Sequence, residues 1–312
     1  MRRSSEQQPL VGFDNSGNRN GSPKTLFDRA IRWGISRKGG ERSQRSIWER
    51  FPELGRLKEN SPEKFPDNAL LIPDGNGTWA KLRGLEVEAG HEAGADVLVN
   101  SFPNLIQTYP YIRYLGGWGL SVNNLGRPKK EVDYLMDLFR RTLIRLYPHF
   151  MNNNIAFIRL GRDDVLDSYP ATRTVFEEIQ HSTRNHTGLA FYIPLGFDGA
   201  DQNLRIAQKI GTLVKEGKVD PSNISEELLQ KLRDGGGKIP PADLIIRTSQ
   251  ERTSDIGWLN GKETELYFMP KKLFPDFGLP DFTKAIMAFS RRNRKFGLRS
   301  QTETFAGNVY PA

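Results

Sequence analysis

Six short apolar runs, at residues 69–73, 112–121, 155–160, 189–195, 243–247 and 264–268, alternate with helical patterns near 79–98, 129–147, 170–184, 201–216 and 224–233. A last helix follows Phe282 and continues to Arg294. Strands that are apolar throughout are buried on both faces, and strands separated by helices run parallel. The pattern predicts an α/β chain: a single domain with a mostly parallel central sheet flanked by helices. Ligands of such sheets gather beyond the carboxyl ends of the strands. Asp74, Ser121 and Arg247 each follow or end an apolar run, so all three can reach one crevice. The 312 residues allow a substantial core. No internal repeat is present, and 234–241 (DGGGKIPP) reads as a loop rather than a boundary.

The first run ends in Pro73-Asp74-Gly75-Asn76-Gly77-Thr78-Trp79-Ala80. Backbone N–H groups converge at a strand–turn–helix junction, and the helix dipole favours negative charge there. The glycines let the main chain approach an anion and take left-handed dihedrals. An acid at the strand end can hold Mg2+, which binds through one or two carboxylates plus phosphate oxygens. A diphosphate cradle with a metal beside it fits these residues; so does a plain surface turn. Downstream, Asp243-Leu244-Ile245-Ile246-Arg247-Thr248-Ser249 is a buried-strand pattern ending in a cation and two hydroxyls, with Arg252 and Ser254 close behind. Arginine forks match phosphate oxygens, and serine can donate to them. Glu265 opens one more apolar run. Two phosphate-type sites and two candidate metal carboxylates on one chain point to a reaction between two phosphorylated molecules.

These residues resemble the cis-prenyltransferases, the family that includes undecaprenyl diphosphate synthase. The resemblance rests on D-G-N-G-x-W-A (74–80), Gly90-His91-x-x-Gly94, Ser121…Asn124…Arg127-Pro128 and Asp243–Thr248. Glu265-Leu266-Tyr267-Phe268, Phe274-Pro275-Asp276-Phe277 and Phe289-x-Arg291-Arg292-x-Arg294-x-Phe296-Gly297 complete it. The blocks keep the family's order from about Asp67 to Gly297, and the likeness does not extend to the first 65 residues or the last dozen.

The resemblance implies an apolar tunnel, a homodimer, and the substrates isopentenyl diphosphate and an allylic prenyl diphosphate. It places the allylic diphosphate on Gly75, Gly77, Thr78 and Trp79, and isopentenyl diphosphate on Arg247, Arg252, Thr253 and Ser254. Asn123 and Arg127 would also bind substrate. Asp74 and Glu265, the latter from the partner subunit, would hold Mg2+. Asp74 and Asn76 would steer the leaving group and proton, His91 would hydrogen-bond diphosphate, and Ser121 and Asn124 would complete the polar wall. On the residues alone, His91 reads equally as a solvated helix residue, Ser121 and Asn124 as cap residues, and Trp79 and Trp118 as core.

Departures from the family pattern fall on the allylic side. Thr78 and Val87 stand where arginines are usual, Asn123-Asn124-Leu125 replaces Glu-Asn-Trp, and Gly196-Phe197-Asp198-Gly199-Ala200 replaces Asn-Tyr-Gly-Gly-Arg. One residue is missing before Arg252. Three readings follow, in order: a regular cis-prenyltransferase with an altered allylic site; an irregular, lavandulyl-type condensing enzyme or one with an atypical first substrate; and a non-catalytic subunit. Met136 and Phe139 either narrow a tunnel or pack a helix.

The net charge is +8, and residues 1–65 hold 14 Lys and Arg against 8 Asp and Glu. Residues 1–24 are polar and read as disordered. Within 25–45, Leu26, Phe27, Ala30, Ile31 and Ile35 recur at helical spacing among arginines. Such a helix either touches an anionic membrane surface or packs on the main domain. The expected division is a 1–65 extension, a 66–300 catalytic domain and a 301–312 tail. With no cysteine there is neither disulfide nor thiolate metal site. No apolar run reaches the ~20 residues of a membrane span, so a cytoplasmic protein is expected. Arg291, Arg292, Arg294 and Lys295 cluster, but no nucleic-acid module or nucleotide loop accompanies them, and no nucleic-acid partner is expected.

Overall fold

The computed structural model describes residues 52–61 and 64–292. The 25–45 helix, the 301–312 tail, Arg294 and Lys295 lie outside them. The described chain opens with α1 (Pro52–Asn60) and continues through β1 (Asn68–Ile72), α2 (Asn76–Lys81) and α3 (Val87–Thr108). Next come β2 (Tyr114–Gly117), β3 (Leu120–Ser121), α4 (Lys129–Asn152), β4 (Ala156–Leu160), α5 (Pro170–Ser182) and β5 (Ala190–Phe197). Then α6 (Gly199–Lys215), α7 (Glu226–Leu232), β6 (Ala242–Thr248), β7 (Asn260–Met269) and α8 (Leu279–Ser290) complete it.

All strand pairs are parallel. β2 and β4 both pair with Ala190–Tyr192 of β5, so they lie on its opposite edges, and β3 meets β5 further along at Leu195 and Phe197. Across the sheet the order is β4-β5-β2-β1-β6-β7. The chain leaves β1 toward β2 on one side and leaves β6 toward β7 on the other. The strand order therefore reverses between β1 and β6, where open α/β sheets bind their ligands.

Strand residues alternate between two cores, as a pleat requires, until Gly196 (φ 64°) turns Phe197 to the opposite face. Ala69, Leu71, Phe191, Ile193, Leu195, Leu244 and Ile246 face one, with Phe102, Phe150, Phe176 and Phe282 from α3, α4, α5 and α8 packed on them. Leu70, Ile72, Tyr192, Phe197 and Ile245 face the other, closed by Ile239, Ile256 and Leu259. Phe65, at the end of the basic leader, is buried against Tyr111 with ring centroids 4.6 Å apart, so it belongs to the domain. Among the described residues no helix is long and apolar enough to cross a membrane.

Several elements differ from expectation: the 112–121 run is two strands, β2 and β3, and β7 begins at Asn260. The 79–98 pattern is two helices, α2 and α3, parted by an exposed turn in which Leu82 and Leu85 are 73% and 47% exposed. Apolar residues at helical spacing there bury nothing, so packing does not sustain the helix. The final helix starts at Leu279, three residues before Phe282, with Pro280 in its first turn, and ends at Ser290.

Candidate active site

Asp74 follows β1 and Arg247 sits near the end of β6, on adjacent strands in register Ile72↔Arg247. Arg247 Nη2 donates to Asp74 Oδ2 at 2.8 Å, and Asp74 Oδ1 accepts from the Gly75 N–H at 2.7 Å. The Thr248 hydroxyl clamps the same turn, accepting from the Asp74 N–H at 2.9 Å and donating to its carbonyl at 2.7 Å. Arg247 is 4% exposed, which a cation tolerates only when paired. Its Nη1 donates to the Arg252 carbonyl at 2.6 Å and to Ser254 Oγ at 2.8 Å, tying the following loop to the strand end. Ser249 and Ser254 both take positive φ, 68° and 64°, in that loop. Non-glycine residues seldom adopt such backbone, and it concentrates at functional sites.

Gly75 has φ 96°, the left-handed turn that aims the chain into α2. The glycines of Gly90-His91-x-x-Gly94 serve close approach: a Cβ on Gly90 would lie 2.1 Å from the Asn76 carbonyl oxygen, and one on Gly94 2.4 Å from Asn76 Oδ1. Helix α3 thus rests directly on the turn. Asn76 Nδ2 donates to the Pro73 carbonyl at 3.0 Å, while its Oδ1 is buried with no donor. The Phe274–Phe277 segment braces the same turn, through the Phe274 N–H to the Asp74 carbonyl and Trp79 Nε1 to Asp276 Oδ1 at 2.8 Å.

These residues open onto a cavity of about 570 Å³. Its polar end holds Asp74–Thr78, His91, Ser121, Asn124, Arg127, Arg247, Arg252 and Ser254. Its apolar end is walled by Leu98 of α3, by Leu135, Leu138, Phe139 and Leu143 of α4, and by Ile193 of β5. Volumes of about 300–1,000 Å³ with a few convergent polar groups are usual for small-molecule sites. Thr142 Oγ1 is buried without a partner at the apolar end. Burial first, and the Arg127 charge second, hold the His91 imidazole below its ordinary pKa, so it is neutral at pH 7 and offers one N–H. Ser121 and Asn124 form a reciprocal capping box, Oγ accepting from the Asn124 N–H at 3.2 Å and Oδ1 from the Ser121 N–H at 3.1 Å. The Ser121 hydroxyl hydrogen and the Asn124 amide N–H groups remain as donors.

The crevice thus gathers ten of the side chains expected there, from five stretches of sequence. It leaves out others. Trp79 does not line the cavity and is held by Asp276, with Arg83 stacked 4.1 Å over its ring. Asn123 is exposed on the far side of its single turn, and Thr253 bonds its neighbour's carbonyl. Trp118 and Phe139 line the cavity, whereas Met136 is fully buried in the α4 core. Glu265 pairs in register with Leu244, three residues before Arg247, and is bound to Arg292. It does not meet Asp74 within one chain. Lys81 and Glu131 also line the cavity, and sequence reasoning missed both. Lys81 stands three residues after Thr78, on the same helix face, which was the available signal.

Asp74 is 35% exposed toward the crevice, and each carboxylate oxygen spends one acceptor position within the protein. Among the described residues no three acids, histidines or cysteines gather. One open carboxylate beside a glycine-bearing turn fits Mg2+, which takes most of its oxygens from phosphate and water.

Comparison with known proteins identifies the family. The sequence profile of the prenyltransferase family, described as undecaprenyl diphosphate synthase, matches residues 72–297. Dehydrodolichyl diphosphate synthase 2 of Arabidopsis thaliana is 32% identical over 288 residues, covering 89% of this chain and 88% of its own. That span exceeds 67–297, so the likeness reaches into the flanking segments, contrary to what the motifs alone implied. The isoprenyl transferase of Thermotoga maritima is 34% identical, covering 75% of this chain and 97% of its own. The crystal structure of lavandulyl diphosphate synthase from Lavandula x intermedia, in complex with dimethylallyl diphosphate, superposes with a TM-score of 0.70 at 29% identity. It covers 75% of this chain and 99% of that one. With the reversal point, the Asp74–Arg247 pair and the two-ended cavity, these matches establish that the chain is a prenyltransferase of the undecaprenyl diphosphate synthase (cis-prenyltransferase) family.

Proposed function

We propose that the chain is a Mg2+-dependent enzyme that joins isopentenyl diphosphate to an allylic prenyl diphosphate and releases a cis-prenyl diphosphate, working as a homodimer. The observation that carries this reading is the paired Asp74 and Arg247 at the polar end of a cavity whose other end is hydrocarbon. Arg252, Ser254 and the edge of Arg247 hold isopentenyl diphosphate, and the Gly75–Thr78 turn with His91 receives the allylic diphosphate. The apolar wall of α3, α4 and β5 takes the prenyl chain and keeps water from the reacting carbon. Asp74 and the phosphate oxygens would hold Mg2+, with Glu265 of a second copy as a further ligand. The ion supplies charge neutralisation at the departing diphosphate.

As the allylic C–O bond breaks, positive charge develops on that carbon and the double bond of isopentenyl diphosphate attacks it. A proton then passes from the resulting cation to an oxygen of the departed diphosphate, which sets the new cis double bond. Neutral His91 donates its N–H to the leaving group. Asn76 Oδ1, buried without a donor, is an acceptor placed beside the Asp74 turn. Fixed donors at a developing charge are commonly the largest catalytic contribution.

A second reading, irregular condensation, is favoured by Thr78 and Val87 at the cavity and by the likeness to lavandulyl diphosphate synthase. Radiolabelled isopentenyl diphosphate, Mg2+ and a panel of dimethylallyl, geranyl and farnesyl diphosphates separate the two. A ladder of regular products supports the first, and a single branched product the second. Failure of every primer would refute both.

A further inference from the structure

The allylic side of the crevice is poor in cations. Val87 Cγ1 stands 3.5 Å from the position of a Cβ on Gly77, so an isopropyl group closes that wall. Thr78 beside it is exposed and neutral, and His91 carries no charge at pH 7. An allylic diphosphate still brings several negative charges, and Asp74 adds another.

Two other cations of the crevice, Arg247 and Arg127, are engaged. Arg247 is buried and spends its two terminal nitrogens on Asp74, Ser254 and the Arg252 carbonyl. Arg127 donates to Glu131 at 3.0 Å. Arg83 lies over the Trp79 ring, 3.6 Å from Asp276, and does not line the cavity. Arg252 lines the cavity from the loop beyond β6, where its carbonyl accepts from Arg247. On α2, Lys81 remains. It lines the cavity, is exposed, and among the described residues its ammonium has no hydrogen bond or ion pair. It stands three positions after Thr78, so both project from one face of α2.

We infer that Lys81 is the cation that binds the diphosphate of the allylic substrate, in place of arginines at 78 and 87. The inference rests on the function proposed above. A lysine ammonium is a hydrated point charge on a flexible stem, without the rigid fork of arginine. Lys81 therefore attracts a diphosphate without fixing its angle. The crevice accepts primers whose hydrocarbon lies in more than one direction, and the arrangement is more salt-sensitive than an arginine clamp.

The test is calorimetry with unreactive S-thiolodiphosphates of dimethylallyl, geranyl and farnesyl alcohol, with turnover kinetics alongside. Lys81→Met keeps the stem and removes the charge. It should weaken binding of the analogues by about tenfold or more, as expected for one charge-assisted hydrogen bond. The KM for isopentenyl diphosphate should stay within about twofold, because its cations are Arg247 and Arg252. Thr78→Arg in the Lys81→Met chain should restore analogue binding. Unchanged analogue binding, or equal loss for both substrates, overturns the assignment while leaving the proposed function standing. A wild-type chain that binds no analogue overturns both.

Discussion

Asp74 is the residue on which two demands meet: it neutralises buried Arg247, and it presents the open carboxylate of the crevice. Asp74→Asn keeps an oxygen for the Gly75 N–H and a similar volume, but removes the charge. Its kcat should fall by about 100-fold or more, the scale on which a preorganised electrostatic group contributes. Thermal unfolding should show a lower midpoint, since Arg247 loses its anion. His91 supplies a pH signature. Its folded pKa lies below the ordinary value, so the unfolded chain binds more protons, and stability rises with pH through about 6.5. His149, also depressed by burial, acts with the same sign. The unfolding midpoint should therefore drop between pH 7 and pH 5, and His91→Gln should flatten that drop; differential scanning calorimetry across the range checks it.

At the scale of elements, the contact between α3 and the Asp74–Thr78 turn is the tightest in the site. Gly94→Ala would drive a methyl group toward Asn76 Oδ1, and overpacking of this kind costs about 1–3 kcal/mol. Urea midpoints should fall accordingly, and turnover should fall further than stability because Asn76 is displaced. The central strands β1, β5 and β6 were legible as apolar runs, since burial on both faces leaves a composition that a helix or loop seldom shows, whereas the polar first half of β7, Asn260–Glu263, was not. The one long run, 112–121, splits at Trp118-Gly119 into β2 and β3. The α2–α3 division was not legible: Leu82 and Leu85 match helical spacing yet lie in solvent, and spacing does not report exposure. For the site, residues at strand ends (Asp74, Ser121, Arg247) were readable because topology forces strand ends together. Trp79 and Asn123 were not, because the direction of a side chain on a one- or two-turn helix depends on its neighbours. For Trp79 that neighbour is Asp276, nearly 200 residues away.

For the whole molecule, Glu265 poses the main question. Within one chain it faces Arg292, three register positions from Arg247, and cannot share an ion with Asp74. If the site is completed by a second copy, Asp74→Asn and Glu265→Gln chains should each be inactive alone. Unfolded together and refolded, they should recover about a quarter of wild-type activity, because half the dimers are mixed and each has one intact site. No recovery would confine the chemistry to one chain. The ion pairs that join α3 to α4, Glu92–Arg141 and Asp96–Arg145, each 2.7 Å, lie on the partly exposed outer side of the hydrocarbon wall. Exposed pairs contribute only about 0–1 kcal/mol each. The wall's firmness comes from the aliphatic packing beneath them.

The pairing of β1 with β6 has a bearing on biosynthesis. Ala69 must wait for Leu244, so more than half the chain emerges from the ribosome before the central strand gains its second neighbour. Long-range parallel pairing of this sort is slow to nucleate, and it leaves an apolar edge open to wrong associations in the interval. A nascent chain cut short before Asp243 would carry the Asp74–Thr78 turn and no Arg247 guanidinium to balance its acid. Catalytic competence therefore arrives late in synthesis, with the strand that brings Arg247.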